Sequence, residues 1–492
     1  MTSPNSLVCF TNCLLPQEDG SLIEKDLWFD QRRGTIVDAQ AFSPGLIDIQ
    51  INGGYGFDFS VFDGDEEAYK KGMELVAEKI VETGVTSLVP TIITQEKSLY
   101  PKLLNLLRPF STPTSACLLG WHAEGPFIDM AKRGAHAPSF LVSAPEGAKS
   151  FETLYGEENL ADEEDWLMNG NIDLGVRIIT AAPEVNGVMD AVKVLSKRGV
   201  VFSIGHSIAT SEIATNAVKN GARLITHLFN AMPQLHHRDP SIIGLLGASP
   251  DLASPFSPIT VKTLFYSGES GGSSPRSPVS RTNSKYAVSK ASTGAGSEAF
   301  DELDTPPQTP LLAAMRGKLL KSSSSISQIQ LDHRETPSPS EFTRPFYEMI
   351  VDGVHSHPNS VRLAYSAYPE GCILITDAMK ILDPNLSDGV HEWRDGKRFV
   401  KEGDKLYLEG TNTLAGSVVT LDKCVRNFTR FTGCSLGEAI KCATFNPAKC
   451  LGIENQKGTL RPGVHADFVI LDRQGYPQST WVKGCKVWSK TQ

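Results

Sequence analysis

Four residues carry the chemistry that can be read from this chain: Glu124, His206, His227 and Asp377. Glu124 lies in "GWHAEGPF", where the apolar run "SACLLGW" ends before a Gly-Pro break. His206 closes "VVFSIGHS", His227 closes "RLITHLFN" and Asp377 closes "CILITDAM". A carboxylate or imidazole at the end of a buried strand is badly placed as a solvated group and well placed as a ligand or proton carrier. One Glu and two His can hold a divalent cation with a position open for water, and an Asp can move the proton. A lone strand-end histidine is more often a hydrogen-bonded structural residue. Four such residues, each ending a separate strand-like run, tip the balance to a metal centre. The pattern predicts hydrolysis at one divalent metal ion, with Zn2+ the first candidate. Glu124, His206 and His227 would be its ligands and Asp377 the acid/base.

Such residues need a scaffold that gathers strand ends. Apolar runs at 44–53, 86–93, 115–121, 176–184, 200–207, 223–230, 346–355 and 372–379 alternate with helical patterns at 66–83, 96–108, 186–198, 210–220 and 358–367. Continuous apolar strands separated by helices indicate a parallel sheet covered on both faces. Eight such units predict an α/β fold, a (β/α)8 TIM barrel, with the polar strand ends at its C-terminal mouth. Helices at 417–431 and 435–445 would complete the outer layer. Short alternating strands in 1–43 and 457–492 predict one small β-sandwich domain built from both ends of the chain. The barrel would then occupy 44–250 and 344–456.

Between those two parts, 251–343 is crowded with Ser, Pro, Thr and Gly. It holds too little apolar surface to offset the entropy of ordering, which predicts a disordered insert with at most a short helix at 311–320. Ser-Pro and Thr-Pro pairs at Ser274, Ser277, Thr305, Thr309, Thr336 and Ser338 are candidates for proline-directed phosphorylation, a solvated spacer being the plainer reading. A smaller acidic insertion spans 146–170. A net charge of −9 without a basic patch argues against a nucleic-acid partner. No run of about 18 apolar residues occurs, so no membrane partner is expected. Nine cysteines without CxxC spacing read as free thiols in a reducing compartment, and the expected location is cytoplasmic.

Taken in order, "PGLIDIQING", "HAEGPF", "GHS", "THLFNAM", "DGVH", "TDAM" and "LAGS" resemble the N-acetylglucosamine-6-phosphate deacetylases of the amidohydrolase superfamily. The resemblance covers essentially the whole chain outside 251–343. It implies hydrolysis of N-acetyl-D-glucosamine 6-phosphate to D-glucosamine 6-phosphate and acetate, in amino-sugar catabolism. It also implies a TIM barrel with a composite terminal β domain, usually as a homodimer. Glu124, His206 and His227 match the family's ligands and Asp377 its acid/base. His355 matches a substrate-contacting histidine, and Ala135 and His136 a sugar-binding pair. Asn230 and Ala231 would offer backbone N–H groups to the phosphate and Arg238 its guanidinium, while Leu414, Ala415 and Gly416 match a loop that covers the sugar.

Where many amidohydrolases carry His-x-His for a second metal, this chain reads Gln50-Ile51-Asn52. Amide side chains are poor zinc ligands, so one metal is expected. A bridging lysine is not expected either, since "VRIITAAPE" supplies none and ends in Glu184. His122, His236, His237, His357 and Arg362 are open to both functional and structural readings. Two other functions compete: a related amidohydrolase acting on another N-acyl or cyclic amide, and a catalytically silent scaffold that binds through the insert.

Overall fold

The computed structural model describes residues 7–38, 43–107, 111–160, 175–248, 342–392, 398–411, 414 and 416–491. Almost all of the expected insert, its phosphorylation candidates and the 311–320 helix lie outside the described residues, as do 161–174 of the acidic insertion and Ala415.

Eight buried strands follow one another in chain order through one sheet: β1 (Leu46–Ile51), β2 (Val85–Ile93), β3 (Trp121–Glu124), β4 (Val176–Ala181), β5 (Val201–Ile204), β6 (Leu224–Ile225), β7 (Phe346–Ile350) and β8 (Cys372–Ile375); a ninth, two-residue strand, Cys117–Leu118, pairs with β2 off this path. Every neighbouring pair is parallel. The circle is closed just past the strand ends. There Asp377 N donates to Gln50 O at 2.9 Å, Asn52 N donates to Ala378 O at 2.8 Å, and Thr376 Oγ1 donates to Asp48 Oδ2 at 2.6 Å. Burial pushes the Asp48 carboxyl up to about 7, against the pull of its bonds from Thr376 and Gln50. This is the TIM-barrel class expected from the alternation of strands and helices.

The helices between strands follow ordinary end and stripe rules. In α1 (Glu66–Lys79) the side chain of Asp65 accepts from the amides of Glu67 and Ala68, and Tyr69, Met73, Val76 and Ala77 form the buried stripe. Further helices are α2 (Tyr100–Leu106), α3 (Ala148–Tyr155), α4 (Val188–Lys197), α5 (Ser211–Lys219), α6 (Pro358–Ala367), α7 (Leu421–Thr432), α8 (Leu436–Ala443) and α9 (Phe445–Leu451). The expected 435–445 helix is α8, opened by a Ser435–Glu438 capping box and ended at Thr444; α9 follows it as a further short helix that was not expected.

Both chain ends contribute to the small β region. Leu7–Pro16, Leu22–Asp30 and Thr35–Asp38 form an antiparallel sheet. Ser43–Pro44, Phe468–Leu471, Pro477–Val482 and Cys485–Ser489 form another. One apolar cluster joins them, with Leu15, Leu27, Phe29 and Ile36 from the first part and Leu460, Val464, Ala466 and Phe468 from the second. A feature absent from the sequence reading is a three-stranded antiparallel sheet after β8, formed by Gly389–Glu392, Arg398–Glu402 and Lys405–Leu408. It packs Phe399 and Leu406 on Met379, Ile381 and Val418. Among the described residues no helix is long and apolar enough to cross a membrane.

A buried ion pair joins Lys457 to Asp467, which also accepts the Lys483 amide at 2.7 Å. Lys457 is 1% exposed and Asp467 4%. Asp467→Ala leaves an ammonium buried without its counter-charge, and a loss of about 3–5 kcal/mol is expected. Denaturant unfolding checks this: the midpoint should fall at constant slope, and an unchanged midpoint would show that the pair is not stabilising.

Candidate metal centre

Glu124 ends β3, while His206, His227 and Asp377 each lie two residues beyond β5, β6 and β8. At the last three the backbone enters the left-handed region, with φ of +48°, +28° and +47°. Residues with a Cβ rarely adopt it, at a cost of about 1–3 kcal/mol each. The conformation turns the chain off the strand at the barrel mouth, and surrounding bonds hold it there. The His206 carbonyl accepts from Asp129 N at 2.9 Å. Glu184 accepts from Ser207 Oγ at 2.7 Å and Ile208 N at 2.6 Å. The His227 amide donates to Glu348 Oε2 at 3.2 Å.

These turns bring three side chains to one point. Glu124 Oε1 lies 2.9 Å from His206 Nε2 and 3.0 Å from His227 Nε2, and the two nitrogens are 3.2 Å apart. All three residues are buried. The Lys132 carbonyl, which can only accept, sits 2.7 Å from His206 Nδ1. That nitrogen therefore donates, and in the neutral ring the lone pair falls on Nε2, the atom that faces Glu124. Two imidazole nitrogens and a carboxylate oxygen then crowd together, an arrangement that a cation between them would satisfy. The donor set, two imidazoles and one carboxylate with ligand atoms within 4.8 Å of one another, fits a divalent metal. Burial disfavours charge on Glu124, but its bonds to both histidines outweigh burial and hold the carboxyl well below the ordinary range. Burial likewise opposes charge on His227, yet its bond to Glu124 and the nearby carboxylates bring it up to about 9.

Asp377 sits beside this cluster without belonging to it. Asn52 Nδ2 donates to its Oδ1 at 2.7 Å. Burial and the Glu124 charge push its carboxyl up to about 6, against the pull of His227, His355 and the Asn52 bond. A carboxyl near that value can both take and return a proton at neutral pH.

Two more histidines have their rings oriented by specific partners. His136 Nδ1 accepts from Thr94 N at 3.2 Å and Thr94 Oγ1 at 2.7 Å, which leaves its proton on Nε2. Its ring packs edge-on against His206, centroids 4.5 Å apart. His355 Nδ1 donates to Asp352 Oδ2 at 2.6 Å, while Asp352 Oδ1 accepts the amides of Val354 and His355 at 2.8 Å.

The remaining expected site residues are placed less tightly. Asn230 has its amide committed to His227 O at 2.9 Å, so it is not offered to a ligand in this conformation. Ala231, at φ +51°, makes no amide hydrogen bond among the described residues. Arg238 and Ala135 are exposed. Leu414 bridges Tyr407, and Gly416 has φ +90° with the Met379 side chain 2.3 Å from where a Cβ would stand, so only glycine fits.

Several ambiguities resolve structurally. His122 is not in the cluster: its Nδ1 donates to Ile49 O at 3.2 Å and its Nε2 accepts from Thr180 Oγ1 at 2.6 Å. The hydroxyls continue from Thr180 to Thr226 and Ser203 at 2.6 Å each, a polar belt across the barrel interior. Burial takes His122 down to about 4, so it is neutral. His357 caps α6 by accepting from Asn359 N at 3.2 Å. His236, His237 and Arg362 are exposed. Sequence reasoning missed Thr94, Lys132, Glu348 and Asp352 as supports, and it noticed Glu184 only for not being lysine. Only Asp352, three residues before His355, leaves a local trace.

An eight-stranded parallel barrel whose mouth gathers one carboxylate, two imidazoles and a separate Asp defines a metal-dependent hydrolase of the amidohydrolase class. The Amidohydrolase family matches residues 319–487. N-acetylglucosamine-6-phosphate deacetylase of Danio rerio is 34% identical over 98% of this chain and 96% of its own length. The Homo sapiens protein of that name is 34% identical over 97% and 95%. The chain belongs to the N-acetylglucosamine-6-phosphate deacetylase family. Its fold is similar to that of the Thermotoga maritima deacetylase crystal structure, with TM-score 0.66 and 22% identity over 98% of this chain and all of that one.

Proposed function

We propose that this protein removes the acetyl group from N-acetyl-D-glucosamine 6-phosphate, giving D-glucosamine 6-phosphate and acetate. The observation that carries this reading is the convergence of Glu124, His206 and His227 beside Asp377, in a chain related end to end to deacetylases of that substrate. Glu124, His206 and His227 would hold one divalent ion, with Zn2+ best matched to a carboxylate and two imidazoles. When bound, the ion supplies Lewis acidity toward the amide carbonyl and toward water.

The chain's own groups perform the rest. Asp377 takes a proton from the attacking water and returns it to the departing nitrogen, while Asn52 keeps its carboxyl aimed. His136, with Nδ1 held by Thr94, lies at the sugar, and His355 is oriented toward the substrate by Asp352. Ala231 through its amide and Arg238 through its guanidinium receive the phosphate; Asn230 shapes the turn between them and the metal ligand His227. Ala135 lies beside His136 at the sugar, and Leu414, Ala415 and Gly416 cover it. The small domain formed from 1–43 and 457–492, a homodimeric assembly and a cytoplasmic location complete the reading.

Acetate release tests it directly, measured with and without a chelator and with metal analysis of the same sample. Turnover that is lost on chelation and restored by Zn2+ is expected, with the unphosphorylated sugar much poorer. Metal-loaded protein that releases no acetate would overturn the proposal, and equal turnover of both sugars would remove the phosphate contacts from it.

A further inference from the structure

At the level of His227 the barrel wall holds a carboxyl group to which the reaction above gives no part. Glu348 is the third residue of β7 and is fully buried. Its Oε2 accepts the His227 amide at 3.2 Å, and its main-chain carbonyl accepts the Leu228 amide at 2.8 Å. β7 thus grips the strained turn that carries the metal-facing imidazole. Oε1 of Glu348 has no hydrogen-bond partner among the described residues, and neither has Nδ1 of His227. Two such buried atoms, on residues already bonded to each other, are costly to leave unpaired.

The chemistry of a ligating imidazole says what should fill the gap. A histidine that gives Nε2 to a metal keeps its proton on Nδ1 and normally donates it to a carbonyl or carboxylate. His206 does so to the Lys132 carbonyl at 2.7 Å. His227 has no equivalent carbonyl among its described bonds, but Glu348 stands against its backbone. We propose that Glu348 is the positioning residue of His227: a turn of its carboxyl group lets Oε1, which is unbonded in this structure, accept the Nδ1 proton when a metal is bound at Nε2. This rests on the metal-centre reading given above. The contact sets the tautomer and the plane of the ring, and makes Nε2 a stronger donor.

Glu348→Gln and Glu348→Ala test the assignment through Zn2+ affinity, measured by chelator competition, and through the thermal midpoints of the metal-free proteins. Glutamine preserves shape and can still accept the His227 amide, but its NH2 then meets Nδ1 as a donor and favours the tautomer that cannot ligate. Affinity about 10–100-fold weaker is expected for Glu348→Gln, without a lower metal-free midpoint. Glu348→Ala, which removes that wrong-way donor and admits water, should bind metal more tightly than Glu348→Gln. A role in packing alone gives the reverse order, because alanine leaves a cavity. Wild-type affinity in Glu348→Gln, or weaker binding by Glu348→Ala than by Glu348→Gln, would overturn the proposal. Wild-type protein that binds no metal would overturn the metal-centre reading itself, and with it this inference.

Discussion

Asp377→Asn is expected to lower kcat by about 10³- to 10⁴-fold, the upper range for losing a positioned acid/base, while the protein still binds one metal ion and substrate. The substitution is nearly isosteric. Asn52 Nδ2 donates to Oδ1 of Asp377 at 2.7 Å, and the carbonyl of an asparagine can accept the same bond. Geometry is preserved and proton affinity is removed. kcat and kcat/KM should therefore fall together, the mark of an interaction used in the transition state. The wild-type pH profile gives the same group a second test. Burial and the Glu124 charge push Asp377 up to about 6, and a bound cation pulls it down. The base works when ionised, so activity should be full at neutral pH and lost as pH falls through a value at or below about 6. The acid limb should disappear from the residual activity of Asp377→Asn. Near-wild-type turnover by that variant would assign the proton transfer elsewhere.

His206→Ala should abolish both metal retention and activity. It removes one of three donors and leaves Glu124 with a single imidazole at 3.0 Å. Two donors rarely hold a divalent ion against a chelator. Calorimetry or a thermal melt reads this without any assay of catalysis. A ligand that binds only the folded state stabilises it by RT ln(1 + [L]/Kd), about 2.7 kcal/mol at one hundred times Kd. Added Zn2+ should thus raise the melting temperature of the wild type and leave that of His206→Ala unmoved. The metal-free melting temperatures should differ little, because alanine inherits a backbone at φ +48° that the Glu184 and Asp129 contacts still hold. A variant that kept stoichiometric metal would show that His206 is not a ligand.

Much of the site was legible before any coordinates because its residues mark strand ends. Glu124 precedes a Gly-Pro break, and His206, His227 and Asp377 each follow a buried apolar run by two residues. The period of the apolar runs gave the barrel, and the barrel rule put the polar ends at one mouth. The sheet at 389–408 escaped notice because, among its described residues, only Phe399 and Leu406 are buried, leaving little hydrophobic pattern. The short α9 was not expected: it is only seven residues long, and Pro447 in its first turn interrupts the run of helix formers.

Residue types, their order and their place on elements were determined by sequence alone, since strand and helix periodicity is a property of neighbours along the chain. Which nitrogen carries a proton, and which backbone holds each side chain, was decided only by tertiary structure. His206 finds its carbonyl 74 residues away, His227 its glutamate 121 away, and Asp377 its amide 325 away. No local pattern encodes such partners. They meet because closing the barrel brings distant strand ends to within hydrogen-bond distance, where a proton donor and an acceptor set each other's state.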